Sequence, residues 1–442
     1  MLKYYIQSFG CRATQADGAA IEAGLVRQGC QAAGGLDSAD LVILNSCTVT
    51  SAADHDLRQA VRRARRSNPA ARFLVTGCYA QRAPEEIAGL AGVTWVVGNS
   101  HKVQIPDLVL SAAAPCHSQI HVGDVFAEQE FTAAPVEHAA GDRTRPNLKI
   151  QDGCNNRCTF CIIPSVRGPS RSAKPDDVVA QVRTLAARYR EVVLSGVNLG
   201  RWGREPGIRM RLAGLVRRLL AETDVERIRL SSVEPMDLSD DLLGLMASSP
   251  RIARHVHAPL QSGSDSVLRR MRRWYRASHY ASRILRAREW MPDAAIGADV
   301  MVGFPGETEA EFDETRRFIA ELPYTYLHVF TYSERPGTPA ASMPGRVPIP
   351  VRKRRNRVLR ELAAAKNLEF RRRMVGQTLS VVTLEQEGIG LSHNYLKVEL
   401  AMPRQPNRIV DVEIGGLTPH ALHENRGRST QSPFFRARRT PH

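Results

Sequence analysis

Gln151-Asp-Gly-Cys-Asn-Asn-Arg-Cys-Thr-Phe-Cys-Ile-Ile-Pro164 directly follows a strand-like run, Asn147 to Gln151. It places Cys154, Cys158 and Cys161 in one short loop at the end of a strand. Three thiolates this close can hold three corners of a cubane iron–sulfur cluster and leave one iron without a protein ligand. An open metal position is where substrates bind, whereas a closed ligand set is usually structural. Zinc is the rival reading, but no second Cys-x-x-Cys or His-x-x-x-His half follows. A disulfide framework is a device of small secreted domains. This chain has 442 residues and eight cysteines, and Met1-Leu-Lys-Tyr-Tyr-Ile leads into a strand rather than a signal peptide.

Outward from that loop, a β-then-α unit recurs. Strands are expected near 147–152, 191–196, 227–232, 254–259, 295–302 and 325–331, with helices between them, for example 174–188 and 307–322. Six such units predict an open (β/α)6 barrel with its chemistry at the carboxyl ends of the strands. Upstream, residues 1–110 read as a parallel α/β domain with strands ending near Gly10, Ser46, Gly77 and Gly98. Helices are expected over 15–28 and 52–66, the second opened by a capping box at Ser51-Ala-Ala-Asp54. Cys11, Cys47 and Cys78 each stand at the carboxyl end of a predicted strand, so a parallel sheet would bring them to one rim and suggest a second cluster. The alternative fate of such cysteines is burial as small hydrophobes. Cys30 and Cys116 lack this placement and read as incidental.

Residues 111–145, rich in Ala and Pro, are read as a linker. Residues 146–374 comprise the barrel and a charged helix from 352; 375–426 predict a small β-barrel; 427–442 form a basic tail expected to lack fixed structure. No apolar run approaches the roughly 20 residues of a membrane span. There is no Gly-x-x-x-x-Gly-Lys-Ser/Thr and no His-Glu-x-x-His, which sets aside P-loop hydrolysis and zinc proteolysis. Gly303-Phe-Pro-Gly-Glu-Thr308 reads as a turn ahead of a helix.

Lys and Arg number 61 against 45 acidic residues, a net charge of +16, the electrostatic footprint of a nucleic-acid binder. Residues 352–373 hold ten basic and two acidic residues, Arg58, Arg62, Arg63, Arg65 and Arg66 share one helix, and the stretch after Glu424 carries five arginines. A basic run feeding a small β-barrel suggests oligonucleotide binding.

The Cys-x-x-x-Cys-x-x-Cys loop resembles the signature of radical S-adenosylmethionine enzymes. Asn45-Ser-Cys-Thr-Val-Thr50, Thr76-Gly-Cys-Tyr-Ala-Gln81, Arg167-Gly168, Pro259-Leu-Gln-Ser-Gly-Ser-Asp265, Gly303 to Thr308 and Tyr332-Ser-Glu-Arg-Pro-Gly-Thr338 extend the resemblance to the methylthiotransferases among them. It implies a [4Fe–4S] cluster on Cys154, Cys158 and Cys161 that binds S-adenosylmethionine and cleaves it to a 5′-deoxyadenosyl radical. It implies a second [4Fe–4S] cluster on Cys11, Cys47 and Cys78 that presents the inserted sulfur. Phe160 would shield the first cluster, with an ordinary core aromatic as the equal alternative. Ser195, Gly196, Asn198, Ser232, Glu234, Gln261 and Ser262, at strand ends, would face S-adenosylmethionine, with strand-end capping as the alternative. The last module resembles an RNA-binding TRAM domain.

The substrates that the family implies are threonylcarbamoyl- or isopentenyl-adenosine beside the tRNA anticodon, or an aspartate of a ribosomal protein. Asn45 to Asp54, and Asp152 where isopentenyl-adenosine enzymes usually have Glu, are most similar to the threonylcarbamoyladenosine group. Gly10-Cys-Arg-Ala-Thr-Gln15 departs from the pattern by lacking an Asn after its cysteine. A flavodoxin- or ferredoxin-type reductant, a sulfur donor, no membrane partner and a cytoplasmic location complete the expectation. A non-catalytic RNA-binding protein with structural clusters is the reading from another class.

Overall fold

The computed structural model describes residues 1–111, 117–127, 131 and 144–425. The first domain is a six-stranded parallel sheet whose strands Lys3–Ser8, Leu41–Ser46, Arg72–Gly77 and Val93–Val97 form its centre. The central Leu41–Ser46 strand is buried along its whole length, the continuous apolar reading of a parallel strand covered on both faces. The edge strand Gln119–His121 pairs in parallel with Val93–Val97. The segment read as a linker therefore begins by completing this sheet. Its register comes from long-range pairing, which three residues without periodicity do not announce. Cys116 lies outside the described residues, as does the basic tail.

The helix expected at Ala52 spans Ser51–Ser67, and its cap differs from the expected one. Thr50 is the N-cap, accepting from the Ala53 N–H at 3.2 Å. Asp54 is instead buried, accepting from Thr48 Oγ1 at 2.6 Å, Arg82 at 3.0 Å and Arg335 at 2.7 Å. A carboxylate shared by two guanidinium groups serves tertiary assembly better than a helix start.

Six parallel strands form the second domain: Asn147–Asp152, Glu191–Gly196, Arg227–Leu230, His255–His257, Ala295–Val302 and Tyr326–Thr331. They fall into two sheets joined by the parallel bridges Ile228↔Ile252 and Ser232↔His257. The barrel stays open, edged on one side by Tyr326–Thr331 and on the other by a short antiparallel strand, Arg171–Ser172. Helices on the outer face bury aliphatic residues such as Val182, Leu215 and Ile284 against it. The Glu309–Glu321 helix is stopped at its start by a capping box, Thr308 with Glu311.

Residues 378–424 close into a five-stranded barrel. It seats on the amino-terminal ends of the large barrel's strands: Arg227 donates to Ser380 Oγ at 2.7 Å, and Arg229 to the Ser392 carbonyl at 3.1 Å. The Ile349–Arg373 helix joins the two, and part of its charge turns inward. Arg352 donates to the Val347 and Tyr332 carbonyls, Arg355 to Glu307 and Glu309, and Arg371 to the Thr418 and Ala421 carbonyls. Charge counting cannot distinguish such inward arginines from outward ones.

Candidate active site formed by two cysteine triads

Each triad is held by backbone geometry that glycine permits. Gly10 adopts φ +91°, and a Cβ there would lie 2.5 Å from Cys47 Cβ and 2.7 Å from its sulfur. This close approach brings Cys11, at the N-cap of the Arg12–Arg27 helix, to Cys47. Gly153 adopts φ +67°, and a Cβ there would fall 1.9 Å from the Pro169 carbonyl oxygen. Cys154 then folds back, its N–H donating to the Gly168 carbonyl at 3.1 Å. Side chains larger than hydrogen are excluded at both turns.

In the first domain, Cys47 and Cys78 are buried and Cys11 is exposed. Burial pushes the Cys47 thiol up to about 12, and the neighbouring Cys78 and Cys11 add to the shift. Thr14 Oγ1 lies 3.5 Å from Cys11 Sγ, and Asn99 Nδ2 lies 3.6 Å from Cys78 Sγ. In the barrel loop, burial raises the Cys161 thiol to about 12, with Cys158 the next contributor. Burial raises Cys154 as well. Three soft sulfur donors per site, buried except for the exposed Cys11 and the half-buried Cys154 and Cys161, fit an iron–sulfur group, whose binding displaces their protons.

The expected neighbours of the barrel loop divide into two sets. Asn198 and Glu234 face it. Asn198 Nδ2 lies 3.8 Å from Cys154 Sγ, while its Oδ1 is buried without a partner among the described residues. Such an orphan acceptor fits a ligand that brings an amino group. Glu234 is paired with Arg273, and burial raises its carboxyl despite that cation. Gly196 ends its strand against Gln151, whose Oε1 accepts from the Asn198 N–H at 2.6 Å. Ser232 pairs with His257 across the seam between the two sheets. Gln261 sits at φ +65°, its N–H donating to the Asp299 carbonyl at 2.8 Å. Phe160 packs against Val267, Met271, Phe304 and Tyr332.

Two expected hydroxyls turn inward instead. Ser195 Oγ donates to the Leu148 carbonyl at 3.4 Å. Ser262 Oγ lies 3.0 Å from Thr315 Oγ1 and accepts from the Ser264 N–H. Both read as strand-end capping, since position at a strand end does not fix which way a side chain turns.

Sequence reasoning missed Arg273, which donates to Cys158 Sγ at 3.3 Å. It follows a short helix with no motif to mark it. It also missed Ser231, whose hydroxyl is buried without a partner one residue before Ser232. A buried ion network was equally invisible: Arg167 donates to Asp152 at 3.0 Å and to Asp17 at 2.9 Å, while Lys149 and Lys102 also pair with Asp17. These cations, outweighing burial, hold the Asp17 carboxyl well below the usual carboxylate range. The network fastens the Arg12–Arg27 helix to the Asn147–Asp152 strand. Nearby, Cys78 packs directly on Ile162 and Val166, and Ile162 follows Cys161 in the chain. The two triads thus approach one another across a thin apolar layer.

Residues 148–319 match the Radical SAM superfamily, and residues 3–98 match the Uncharacterized protein family UPF0004. The threonylcarbamoyladenosine tRNA methylthiotransferase MtaB of Aquifex aeolicus is 36% identical over 93% of this chain and 100% of its own length. This chain belongs to the radical SAM tRNA methylthiotransferase family. The MtaB of Bacillus subtilis is 39% identical over 82% of each chain. The tRNA-2-methylthio-N(6)-dimethylallyladenosine synthase of Thermobifida fusca is 35% identical over 96% of this methylthiotransferase and 89% of its own length. Among solved structures, the radical S-adenosylmethionine methyltransferase TsrM of Kitasatospora setae, solved with cobalamin and a [4Fe–4S] cluster, superposes with a TM-score of 0.56 over 77% of each chain. At 15% identity that likeness carries the fold alone. Among the described residues, no helix is long and apolar enough to cross a membrane.

Proposed function

We propose that this methylthiotransferase inserts a methylthio group at carbon 2 of threonylcarbamoyladenosine at position 37 of tRNA. The observation that carries the reading is the apposition of two cysteine triads, each short of a fourth protein ligand, in a chain whose relatives bear that name. Cys154, Cys158 and Cys161 would hold one [4Fe–4S] cluster, and Cys11, Cys47 and Cys78 the other. When bound, these clusters and S-adenosylmethionine supply one-electron cleavage of a sulfonium and the sulfur to be transferred.

The protein's own part is binding, orientation and exclusion of water. Asn198 Oδ1 offers an acceptor to the amino group of S-adenosylmethionine. Arg273 places one cation between Cys158 and Glu234, so that removing it would leave a buried carboxylate unpaired. Phe160, Phe304 and Tyr332 keep the loop dry on one side. Ser232 and Gln261 present backbone and side-chain polar atoms at the rim, and Gly196 keeps the adjoining strand end narrow. The closed C-terminal barrel and the exposed arginines Arg62, Arg63, Arg65 and Arg66 supply the sequence-independent grip on tRNA. The reaction consumes electrons and sulfur, so the chain works with a flavodoxin- or ferredoxin-type reductant and a sulfur donor, in the reducing cytosol.

Mass spectrometry of tRNA nucleosides tests this in a bacterial host stripped of its own methylthiotransferases and expressing the chain. The expected product is methylthio-threonylcarbamoyladenosine, lost in Cys154→Ala. Methylthio-isopentenyladenosine would overturn the subgroup, and neither product would redirect the search to the ribosomal aspartate.

A further inference from the structure

The inner face of the large barrel carries a polar cluster that neither triad uses. His257, Asp299 and His328 stand on three adjacent strands, with Asp299 paired in register to His328. His257 Nε2 lies 3.1 Å from Asp299 Oδ2, and His328 Nδ1 lies 3.2 Å from Asp299 Oδ1. Tyr326 Oη anchors the floor, 2.9 Å from His257 Nδ1 and 2.7 Å from His255 Nε2. Its ring lies against Gly297, where a Cβ would come within 2.0 Å of it, so the ring stays low in the barrel. His328 is half-exposed, and its Nε2 has no partner among the described residues. Phe330, two residues nearer the triad end of the same strand face, is also exposed.

Arg12, in the first domain, acts on this floor. It directly follows Cys11, and its carbonyl accepts from Asn147 Nδ2 at 2.6 Å. Its guanidinium makes no ion pair or hydrogen bond among the described residues. Its charge is nonetheless felt by two rings on the floor. Burial first, then Arg229, His257 and Arg12, keeps His255 neutral. Tyr326 is raised by burial, an effect that Arg229 and Arg12 oppose. A cation without a counter-ion among the described residues, whose charge reaches the floor on which a carboxylate-fixed imidazole stands, suits an anionic group carrying further polar atoms.

We propose that Arg12 and the Asp299-held His328 recognise the polar, carboxylate-bearing N6 substituent of the target adenosine and thereby select it over an apolar one. This rests on the tRNA methylthiotransferase reading above. Arg12 pairs with the substituent's carboxylate, and His328 Nε2 with its hydroxyl. Asp299 fixes the imidazole plane and tautomer, as a positioning residue. A dimethylallyl group offers neither partner. Admitting it would desolvate Arg12 unpaired, and sites built for polar partners reject analogues that lack them.

The test measures binding of anticodon stem-loops to the cluster-loaded enzyme by fluorescence anisotropy, in three forms: threonylcarbamoyladenosine, its methyl ester, and isopentenyladenosine. Wild type is expected to prefer the acid over the ester by about ten- to a hundredfold. Arg12→Leu should erase the preference, and Arg12→Lys should restore part of it. Asp299→Asn should weaken the acid without changing the acid-to-ester ratio. Iron per chain, read on each variant, reports whether the protein remains folded. Equal binding of acid and ester by wild type, or an intact preference in iron-replete Arg12→Leu, would overturn the proposal. Failure of the parent reading shows elsewhere, as methylthio-isopentenyladenosine or no methylthio product in the host tRNA.

Discussion

Arg335→Met tests how the first domain is aligned with the barrel. The guanidinium of Arg335 donates to Asp54 Oδ2 at 2.7 Å and to the Thr48 carbonyl at 3.1 Å. Thr48 is the neighbour of Cys47, so this contact ties a cysteine of one triad to the Tyr332–Thr338 segment of the barrel. Both side chains are about 6% exposed, so solvent screens the pair little. Methionine fills much of the same space and removes the donors. One charge-assisted hydrogen bond goes, and the Thr48 carbonyl loses a partner. Asp54 is not orphaned, because Arg82 remains at 3.0 Å and Thr48 Oγ1 at 2.6 Å. The expected loss is therefore about 3 kcal/mol, less than the cost of a fully stranded buried charge. Thermal unfolding should shift by roughly 2–5 °C. A double-mutant cycle with Asp54→Asn should return a coupling of about 1.5–3 kcal/mol. A coupling near zero, with Arg335→Met as stable as wild type, would refute the reasoning and leave Ser51–Ser333 as the main polar link in this region.

Cys154→Ala and Cys47→Ala should each cut iron from about eight to about four atoms per chain, and the double variant should hold almost none. A single variant that loses all its iron would mean the sites do not load independently. Gly10→Ala forces a Cβ into Cys47 at a left-handed φ, so it should cost about 1–3 kcal/mol and selectively deplete the first-domain cluster. Glu191, buried against Arg229, Arg145 and Arg227, has its carboxyl lowered to about 2 by these cations against the pull of burial. A depressed carboxyl stabilises the fold above its unfolded value and loses that contribution as pH falls. Acid unfolding of Glu191→Gln should therefore differ from wild type mainly between about pH 4.5 and 2, where some 3 kcal/mol disappears. Parallel acid titrations of the two proteins would contradict this.

The site was legible to different depths. Strand ends at Gly10, Ser46 and Gly77 placed Cys11, Cys47 and Cys78 on one rim, because a parallel sheet aligns its carboxyl ends whatever the intervening loops do. The six barrel strands were equally plain, since apolar runs alternating with amphipathic helices admit few other arrangements. Asp54 shows the limit: Ser51-Ala-Ala-Asp54 has a capping-box pattern, yet its carboxylate serves Arg335, nearly three hundred residues away. Ser195 and Ser262 show it again, their hydroxyls turned to internal partners that no local pattern names.

The sequence by itself determined the chemistry and the architecture, because thiol spacing and hydrophobic period are local properties of the chain. Only the tertiary structure decided which charges face inward. Arg352, Arg355 and Arg371 belong to a run read as RNA-binding yet turn inward, Arg371 onto the C-terminal barrel, while Arg12 read as nothing and acts on His255 at the floor of the large barrel. A side chain's electrostatic role depends on its distance to partners remote in sequence and on the dielectric around it, and both are set when the domains pack.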